Sequence, residues 1–274
     1  MKKLLLAFDG EHFSNGAFDF ACRLNEREPL MLTGVFLPQL DFANLWSYAE
    51  GTAGTLFVPL VEKDSAVKIE HNIARFEALC RKHHIEYRIH KDFNDFALPE
   101  LKKETRFADL LLLGSESFYA ATGVKEQNEY MKEMLHIAEC PVLLVPEKAA
   151  FPQSNILTYD GSESSAYAIR QFSYLFPELA PNESVLLYAR HEADMEIPDV
   201  KNIEELVSQH FPKLSIMKLT LDPKIFLSAW LMDIKNPVLV AGAFGRSGIS
   251  RLFKPSFVTD LIKEHSLPVF IAHH

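Results

Sequence analysis

The sequence has few cysteines, no long apolar runs and no excess of positive charge. Its three cysteines are odd in number and far apart in the first half, which argues against a disulfide framework and favours a cytoplasmic protein with reduced thiols. No segment approaches the roughly 20 apolar residues that cross a bilayer. The 28 Lys and Arg residues against 37 Asp and Glu give a net charge of −9. This balance argues against sequence-independent binding of nucleic acids.

Several motifs of catalysis and metal binding are also missing. The sequence contains no Walker loop, and Gly245-Arg246-Ser247-Gly248 has the wrong spacing for the Gly-x-Ser-x-Gly motif of serine hydrolases. Cys80 is followed by His83, His84 and His90, but zinc sites usually need two convergent ligand pairs. We interpret these residues as the polar end of a helix. The sequence therefore predicts no catalytic residue and no metal site.

The most informative feature that is present is an internal repeat. Asp9-Gly10-x-x-x-Ser14-x-x-Ala17 returns as Asp160-Gly161-x-x-x-Ser165-x-x-Ala168, at an offset of 160 − 9 = 151. Two further matches follow in the same order, residues 109–114 with 237–242 (offset 128) and 140–145 with 267–272 (offset 127). Three ordered matches indicate one domain written twice. We predict domains at 1–148 and 153–274, and the smaller offsets predict an insertion in the first near 38–60.

Each copy alternates strands and helices. Residues 110–113 and 238–241 are apolar at every position, as is typical of strands covered on both faces. The pattern predicts an α/β protein with a doubly wound, five-stranded parallel sheet in each copy. The predicted strands are 3–8, 31–37, 85–91, 109–114, 141–146, 154–159, 184–190, 214–221, 237–242 and 268–272. The predicted helices are 14–26, 61–84, 95–106, 124–138, 163–176, 199–210, 223–234 and 255–265.

The crevice for a ligand is expected beyond the carboxyl ends of the strands, where the strand order reverses. In the second copy the fourth strand ends at Gly242, and a loop with Gly245 and Arg246 leads to the next predicted helix. Free N–H groups at such a loop and the helix dipole suit an anion, although a solvated basic loop explains the residues equally well. The first copy has Glu116 in this region, which would repel phosphate. We interpret the first copy as structural.

The Asp-Gly-x-x-x-Ser-x-x-Ala repeats, the Gly-x-x-Gly loop and the Pro-Val-hydrophobic end of each copy resemble a tandem universal stress protein. The resemblance covers nearly the whole chain. It implies Rossmann-like sheets related by a pseudo-twofold axis and paired through their last strands, 141–146 and 268–272. It also implies a site for an adenine nucleotide in the second copy. Its residues are Asp160 and Ala189 at the nucleoside and Gly242, Gly245, Arg246 and Ser256 at the phosphates, with Pro255 where the family has glycine.

The favoured function is that of a cytoplasmic stress-response protein that acts by binding. The second copy is expected to hold ATP or another adenine nucleotide weakly, and Mg²⁺ that accompanies the nucleotide is the only metal expected. One alternative is a ligand-free scaffold that uses the insertion as its contact surface. A second alternative is a slow ATP or AMP hydrolase. The sequence leaves open a homodimer and the identity of a protein partner.

Overall fold

The computed structural model describes residues 1–9, 11–37, 63–91, 97–116, 133–189, 196–219, 230–231, 233–242 and 267–273. The insertion predicted near 38–60 lies outside the described residues. So does the loop after residue 242, with the helix predicted at 255–265. Among the residues described, no helix combines the length and apolar character needed to span a membrane.

The described elements follow the predicted alternation of strands and helices, and their ends differ from the predicted ones by at most two residues. The first copy contains β1 (Lys3–Phe8), α1 (Asn15–Arg27), β2 (Met31–Phe36), α2 (Lys63–Lys82), β3 (Glu86–Lys91), α3 (Ala97–Thr105), β4 (Leu110–Gly114) and β5 (Val142–Val145). The second contains β6 (Ser154–Tyr159), α4 (Glu163–Leu175), β7 (Glu183–Ala189), α5 (Val200–His210), β8 (Leu214–Leu219), β9 (Pro237–Gly242) and β10 (Val269–Ala272). The helices predicted at 124–138 and 223–234 fall largely outside the described residues.

The strands form a ten-stranded sheet in the order β3-β2-β1-β4-β5-β10-β9-β6-β7-β8. Numbered within its own copy, each half has the order 3-2-1-4-5, with parallel pairs such as β1–β2, β1–β4, β6–β7 and β6–β9. This topology confirms the predicted α/β class with two doubly wound five-stranded halves. The order reverses beside β1 in the first copy and beside β6 in the second, which is where a ligand crevice is expected.

The last strand of each copy pairs with the other, as the resemblance implied. β5 and β10 are antiparallel, with Val142 opposite Ile271 and Leu144 opposite Val269, and both strands are buried along their whole length. Because each would otherwise present an apolar edge, the pairing protects both from unwanted strand addition. The two five-stranded halves are therefore continuous as one sheet rather than two separate sheets.

The chain forms two compact units. One is Met1–Leu113 with Ser117–Glu139, and the other is Gly114–Glu116 with Cys140–His274. β5 belongs to the second unit by its contacts, because it pairs with β10. The boundaries at 148 and 153 describe the sequence repeat and stay a prediction as domain limits. Below, "first copy" and "second copy" refer to that repeat.

Each unit has its own aromatic core. In the first unit the rings of Phe8 and Phe36 stack at 4.7 Å, and Phe18 of α1 meets Phe76 of α2 edge to face at 6.0 Å. In the second unit Phe172 of α4 packs against Phe270 of β10 at 5.4 Å. These contacts pack α1 against α2 and α4 against its sheet. They thereby fix the turns that precede the two helices.

Candidate functional site

The turn after β6 places a carboxylate at the beginning of a helix. Asp160 follows the last residue of β6, and its Oδ1 accepts the N–H of Ser162 at 2.9 Å. Gly161 has φ +82°, in the left-handed region that favours glycine. Ser162 is the N-cap of α4, and its Oγ accepts the N–H of Ser165 at 3.1 Å. Asp160 therefore lies half-buried beside the positive end of the α4 dipole.

Gly242 ends β9 against the first turn of α4. A Cβ at this position would lie 2.6 Å from both the carbonyl carbon of Ser164 and the amide nitrogen of Ser165. Real Cβ atoms are not found so close to backbone, so the approach of strand and helix requires glycine. β9 is also bonded to its neighbour β6, since Thr158 Oγ1 donates to the Val240 carbonyl at 2.7 Å. Gly242 thus has a packing role that does not depend on a ligand.

Two tyrosine hydroxyls reach across the same end of the second copy. Tyr159 ends β6 and donates to the Pro198 carbonyl at 3.0 Å, and Tyr188 of β7 donates to the Glu196 carbonyl at 3.5 Å. Burial raises the pKa of Tyr159, and the carboxylates of Asp199 and Asp160 raise it further. The hydroxyl therefore stays protonated and able to donate at neutral pH. The only sequence signal for this pair is that Phe8 and Phe36 occupy the matching positions of the first copy.

Three of the six predicted site residues lie at neighbouring strand ends. Asp160 follows β6, Ala189 ends β7 and Gly242 ends β9, and β6 pairs with both of the other strands. The topology thus brings these three positions to the carboxyl ends of neighbouring strands, and their role in binding stays a prediction. Gly245, Arg246 and Ser256 lie outside the described residues, and so does Pro255. Their roles stay predictions.

The matching aspartate of the first copy is held within its own turn. Asp9 is only 6% exposed. Its Oδ1 accepts the N–H groups of Glu11 and His12 at 3.0 and 2.8 Å, and its Oδ2 lies 2.7 Å from Nδ1 of His12. At the other side of this copy, the exposed Glu116 accepts the N–H of Glu147 at 3.3 Å. Asp9 is thus more deeply buried than Asp160 and is covered by a side chain of its own loop.

Helix α2 covers this first-copy turn. Lys68 forms an ion pair with Glu11 at 3.0 Å, and Asn72 Nδ2 donates to the Glu11 carbonyl at 3.0 Å. The Arg75 guanidinium lies 4.3 Å from the centre of the Phe13 ring, a cation–π distance. That ring stacks on Phe8 at 4.9 Å. Among the described residues, side chains of α2 therefore cover the turn that follows β1.

The histidines near Cys80 take part in ordinary contacts. Cys80 is fully buried, His83 packs edge to face on Phe18 at 6.2 Å, and His90 Nδ1 lies 2.7 Å from Glu104 Oε1. In the described part of the chain, no group of three or more His, Cys, Asp or Glu residues is placed to hold a metal ion.

The chain is similar over its whole length to solved structures, although the sequence comparisons found no match. No family model matches the sequence, and no curated protein matches it. The structure is similar to a universal stress protein from Archaeoglobus fulgidus DSM 4304, with a TM-score of 0.68 and 14% identity over 100% of this chain and 96% of that one. It is also similar to the "Putative Universal Stress Protein from Pseudomonas aeruginosa UCBPP-PA14", with a TM-score of 0.54 and 11% identity over 100% of this chain and 93% of that one. The protein therefore has the universal stress protein fold, with two copies in one chain.

Proposed function

We propose that the protein works in a cytoplasmic stress response by binding an adenine nucleotide, weakly and without turnover, in its second copy. The observation that carries this proposal is the contrast between the two aspartates. Asp9 is buried and contacts His12 in a turn that α2 covers at Glu11, whereas Asp160 is half-buried beside a helix N-terminus and between the ends of β7 and β9. This difference in burial supports the second copy as the one whose first-strand carboxylate a ligand approaches.

In this proposal Asp160 and the backbone at Ala189 face the nucleoside. Gly242 ends the strand from which the loop with Gly245, Arg246 and Ser256 departs toward the phosphates. Glycine at 245 permits close approach of the backbone to an anion, and Arg246 supplies positive charge. Mg²⁺ would accompany the nucleotide, because hard phosphate oxygens are its usual partners.

Pro255 is the reason to expect weak binding. Proline has no N–H, so the loop has one donor fewer for the phosphates than it would have with glycine at this position. Proline still suits the first turn of a helix, so its cost falls on the ligand rather than on the fold. A hydrogen bond to a charged group contributes roughly 1.5–3 kcal/mol, which corresponds to about a ten- to hundredfold loss of affinity.

Titration calorimetry with ATP, ADP and AMP in the presence of Mg²⁺ tests the proposal. We expect weak binding to the native chain and binding about ten- to hundredfold tighter to Pro255→Gly. Gly245→Val should abolish binding because its Cβ blocks the backbone. The matched control is Ser117→Val, which introduces the same side chain at the equivalent position of the first copy (245 − 117 = 128, the offset of Gly242 from Gly114). It should leave binding unchanged.

Four results would contradict the proposal. Low-micromolar affinity that is the same in the native chain and Pro255→Gly would refute the role given to proline. Loss of binding in Ser117→Val, with binding retained in Gly245→Val, would assign the nucleotide to the first copy. No binding to either the native chain or Pro255→Gly would favour the scaffold. Steady release of phosphate from ATP, or of adenosine from AMP, would instead identify a hydrolase.

A further inference from the structure

A short segment before α5 packs against the turn that contains Asp160. We call this segment, Glu196–Asp199, the strap. Its Pro198 packs so closely on Gly161 that a Cβ there would lie 2.8 Å from the proline Cγ. Its carbonyls at Pro198 and Glu196 are the two that accept the hydroxyls of Tyr159 and Tyr188. The strap is thus held to the ends of β6 and β7 by two side chains and lies against the residue that follows Asp160.

The strap is also coupled to the start of the next helix. Asp199 has φ +47° and is the N-cap of α5, without a side-chain hydrogen bond to the helix. Its carbonyl accepts the N–H groups of Asn202 and Ile203 at 2.9 and 3.0 Å. A non-glycine residue in this left-handed region persists only where its surroundings hold it. Loosening the strap should therefore be measurable at the Asn202 and Ile203 amides.

The first copy has no hydroxyls at the matching positions. Phe8 is opposite Phe36 in register, just as Tyr159 is opposite Tyr188, and the two phenylalanine rings stack at 4.7 Å. The first copy is covered by side chains of α2 instead. The tyrosine pair is therefore specific to the copy in which we place the ligand.

We infer that Tyr159 and Tyr188 are positioning residues that hold the strap beside Asp160 and set how fast a ligand enters and leaves that end of the second copy. Neither tyrosine needs to touch the ligand, because each acts through the strap. The identity of the ligand rests on the proposed function, but the holding of the strap does not. Tyr159 should contribute more than Tyr188, since its hydrogen bond is 3.0 Å long against 3.5 Å.

Hydrogen–deuterium exchange on the full chain without nucleotide tests the holding of the strap. We expect the Asn202 and Ile203 amides to exchange about fivefold faster in Tyr159→Phe, about twofold faster in Tyr188→Phe and about tenfold faster in the double variant. Tyr174→Phe is the matched control, because Tyr174 is 58% exposed on α4 and packs edge to face on His210. It makes the same chemical change away from the strap and should leave these amides unchanged.

Stopped-flow binding of methylanthraniloyl-ATP with Mg²⁺ tests access. A strap that moves for both entry and exit predicts that association and dissociation accelerate by a similar factor, about tenfold in the double Tyr→Phe variant, while affinity changes little. Both rates should be unchanged in Tyr174→Phe. Performing the measurement in a Pro255→Gly background raises the signal, without altering the comparison between the tyrosine variants.

The two measurements separate this inference from the proposed function. Unchanged exchange at Asn202 and Ile203 in the double variant overturns the inference. Faster exchange with an unchanged association rate also overturns it, because the strap then does not control entry. If no variant binds the nucleotide while exchange is accelerated, the nucleotide proposal is wrong and the holding of the strap by the tyrosines is supported.

Discussion

The turn after β1 and the turn after β6 begin with the same Asp-Gly pair and continue differently. In the first copy Asp9 is bonded by the His12 ring and covered by α2. In the second copy Asp160 bonds the N–H of Ser162, where a helix begins. α4 begins at residue 163, whereas residue 166 matches the start of α1 (15 + 151). The second helix therefore begins about one turn earlier relative to the motif.

The capping residue explains the difference. Ser162 stands where the first copy has Glu11 (162 − 11 = 151), and serine is a strong N-cap residue. Without such a cap, residues 11–13 stay outside the helix, and Phe13 packs on Phe8 instead. Ser164 matches Phe13 in the repeat (13 + 151 = 164). It lies within α4, where its backbone packs closely against Gly242. Local capping chemistry, rather than the shared fold, thus determines which copy keeps an approachable carboxylate.

The largest expected difference is in the reactivity of the cysteines, which reports how tightly α1 and α2 pack in the first copy. Cys22 of α1 and Cys80 of α2 are buried, and burial raises the pKa of each to about 12. Cys140 is partly exposed. We expect an aromatic disulfide reagent at neutral pH to label Cys140 at least about 100-fold faster than the other two, because these react only after opening. Peptide mapping over time measures the rates, and denaturant equalises them. Equally fast labelling of Cys22 would contradict a closed first copy.

The packing role of Gly242 predicts a large loss of stability. Gly242→Ala should lower the free energy of unfolding by about 3 kcal/mol, because the new Cβ meets backbone atoms of α4. In the first copy, the Cβ that Gly34→Ala adds would lie 2.9 Å from the Phe76 ring. A side-chain ring shifts more readily than a helix backbone. We expect a loss of about 1.5 kcal/mol there. Urea unfolding of both variants measures the difference, and a larger loss in Gly34→Ala would refute it.

The two aspartates should differ in what they contribute to the fold. Asp9→Ala removes the acceptor of two backbone N–H groups and the partner of the His12 ring, so we expect a loss of about 2 kcal/mol. Asp160→Ala removes the acceptor of the Ser162 N–H in a more exposed setting, and we expect about 1 kcal/mol. Parallel denaturant titrations decide the order. An Asp160 variant that is the less stable of the two would reverse the comparison.

Alkaline pH should weaken the first unit through the same buried thiols. Because folding raises the pKa of Cys22 and Cys80 from about 9 to about 12, the folded chain keeps their protons longer than the unfolded chain. Their contribution is complete below pH 9 and is lost as the pH rises toward 12. Denaturant titrations from pH 8 upward should therefore show a steeper decline for the native chain than for the Cys22→Ala, Cys80→Ala variant. If the free energy of unfolding falls equally with pH in both chains, ionisation of the two thiols does not destabilise the fold.

The smallest effect is expected from the cover over Phe13. Arg75→Ala removes the cation–π contact with Phe13 and the hydrogen bond to Asn15. Because Arg75 is exposed, we expect a loss of only about 0.5 kcal/mol. Exchange of the Glu11 and His12 amides should nevertheless become faster, since α2 contacts this turn at Glu11. Unchanged exchange would mean that His12 and Asp9 close the turn by themselves.

Most strands could be predicted because their chemistry is local. Residues 110–113 are apolar at every position, and the Asp-Gly motif marks where β1 and β6 end. The predicted helix starts, 14 and 163, already place α4 earlier relative to the repeat (163 − 151 = 12), although no capping residue was predicted for it. The pairing of β5 with β10 was predicted from the family resemblance, because the sequence of an apolar strand does not specify which strand it pairs with.

Other features have little or no sequence signal. Tyr159 and Tyr188 bond backbone carbonyls, and every residue offers the same carbonyl, so no pattern points to Glu196 or Pro198. The His12 ring contacts Asp9 within the same turn, and a single histidine in a loop does not indicate that contact from sequence. Phe13 is likewise one apolar residue in a loop, and its burial depends on Phe8 from the neighbouring strand.

The number of nucleotides per chain tests the asymmetry most directly. Equilibrium dialysis of the Pro255→Gly chain against saturating Mg-ATP should give one nucleotide per chain, because the proposed function assigns binding to the second copy alone. Ser117→Val in that background should keep the one site, and Gly245→Val should remove it. Two nucleotides per chain, or a single site lost with Ser117→Val, would contradict a closed first copy and an open second one.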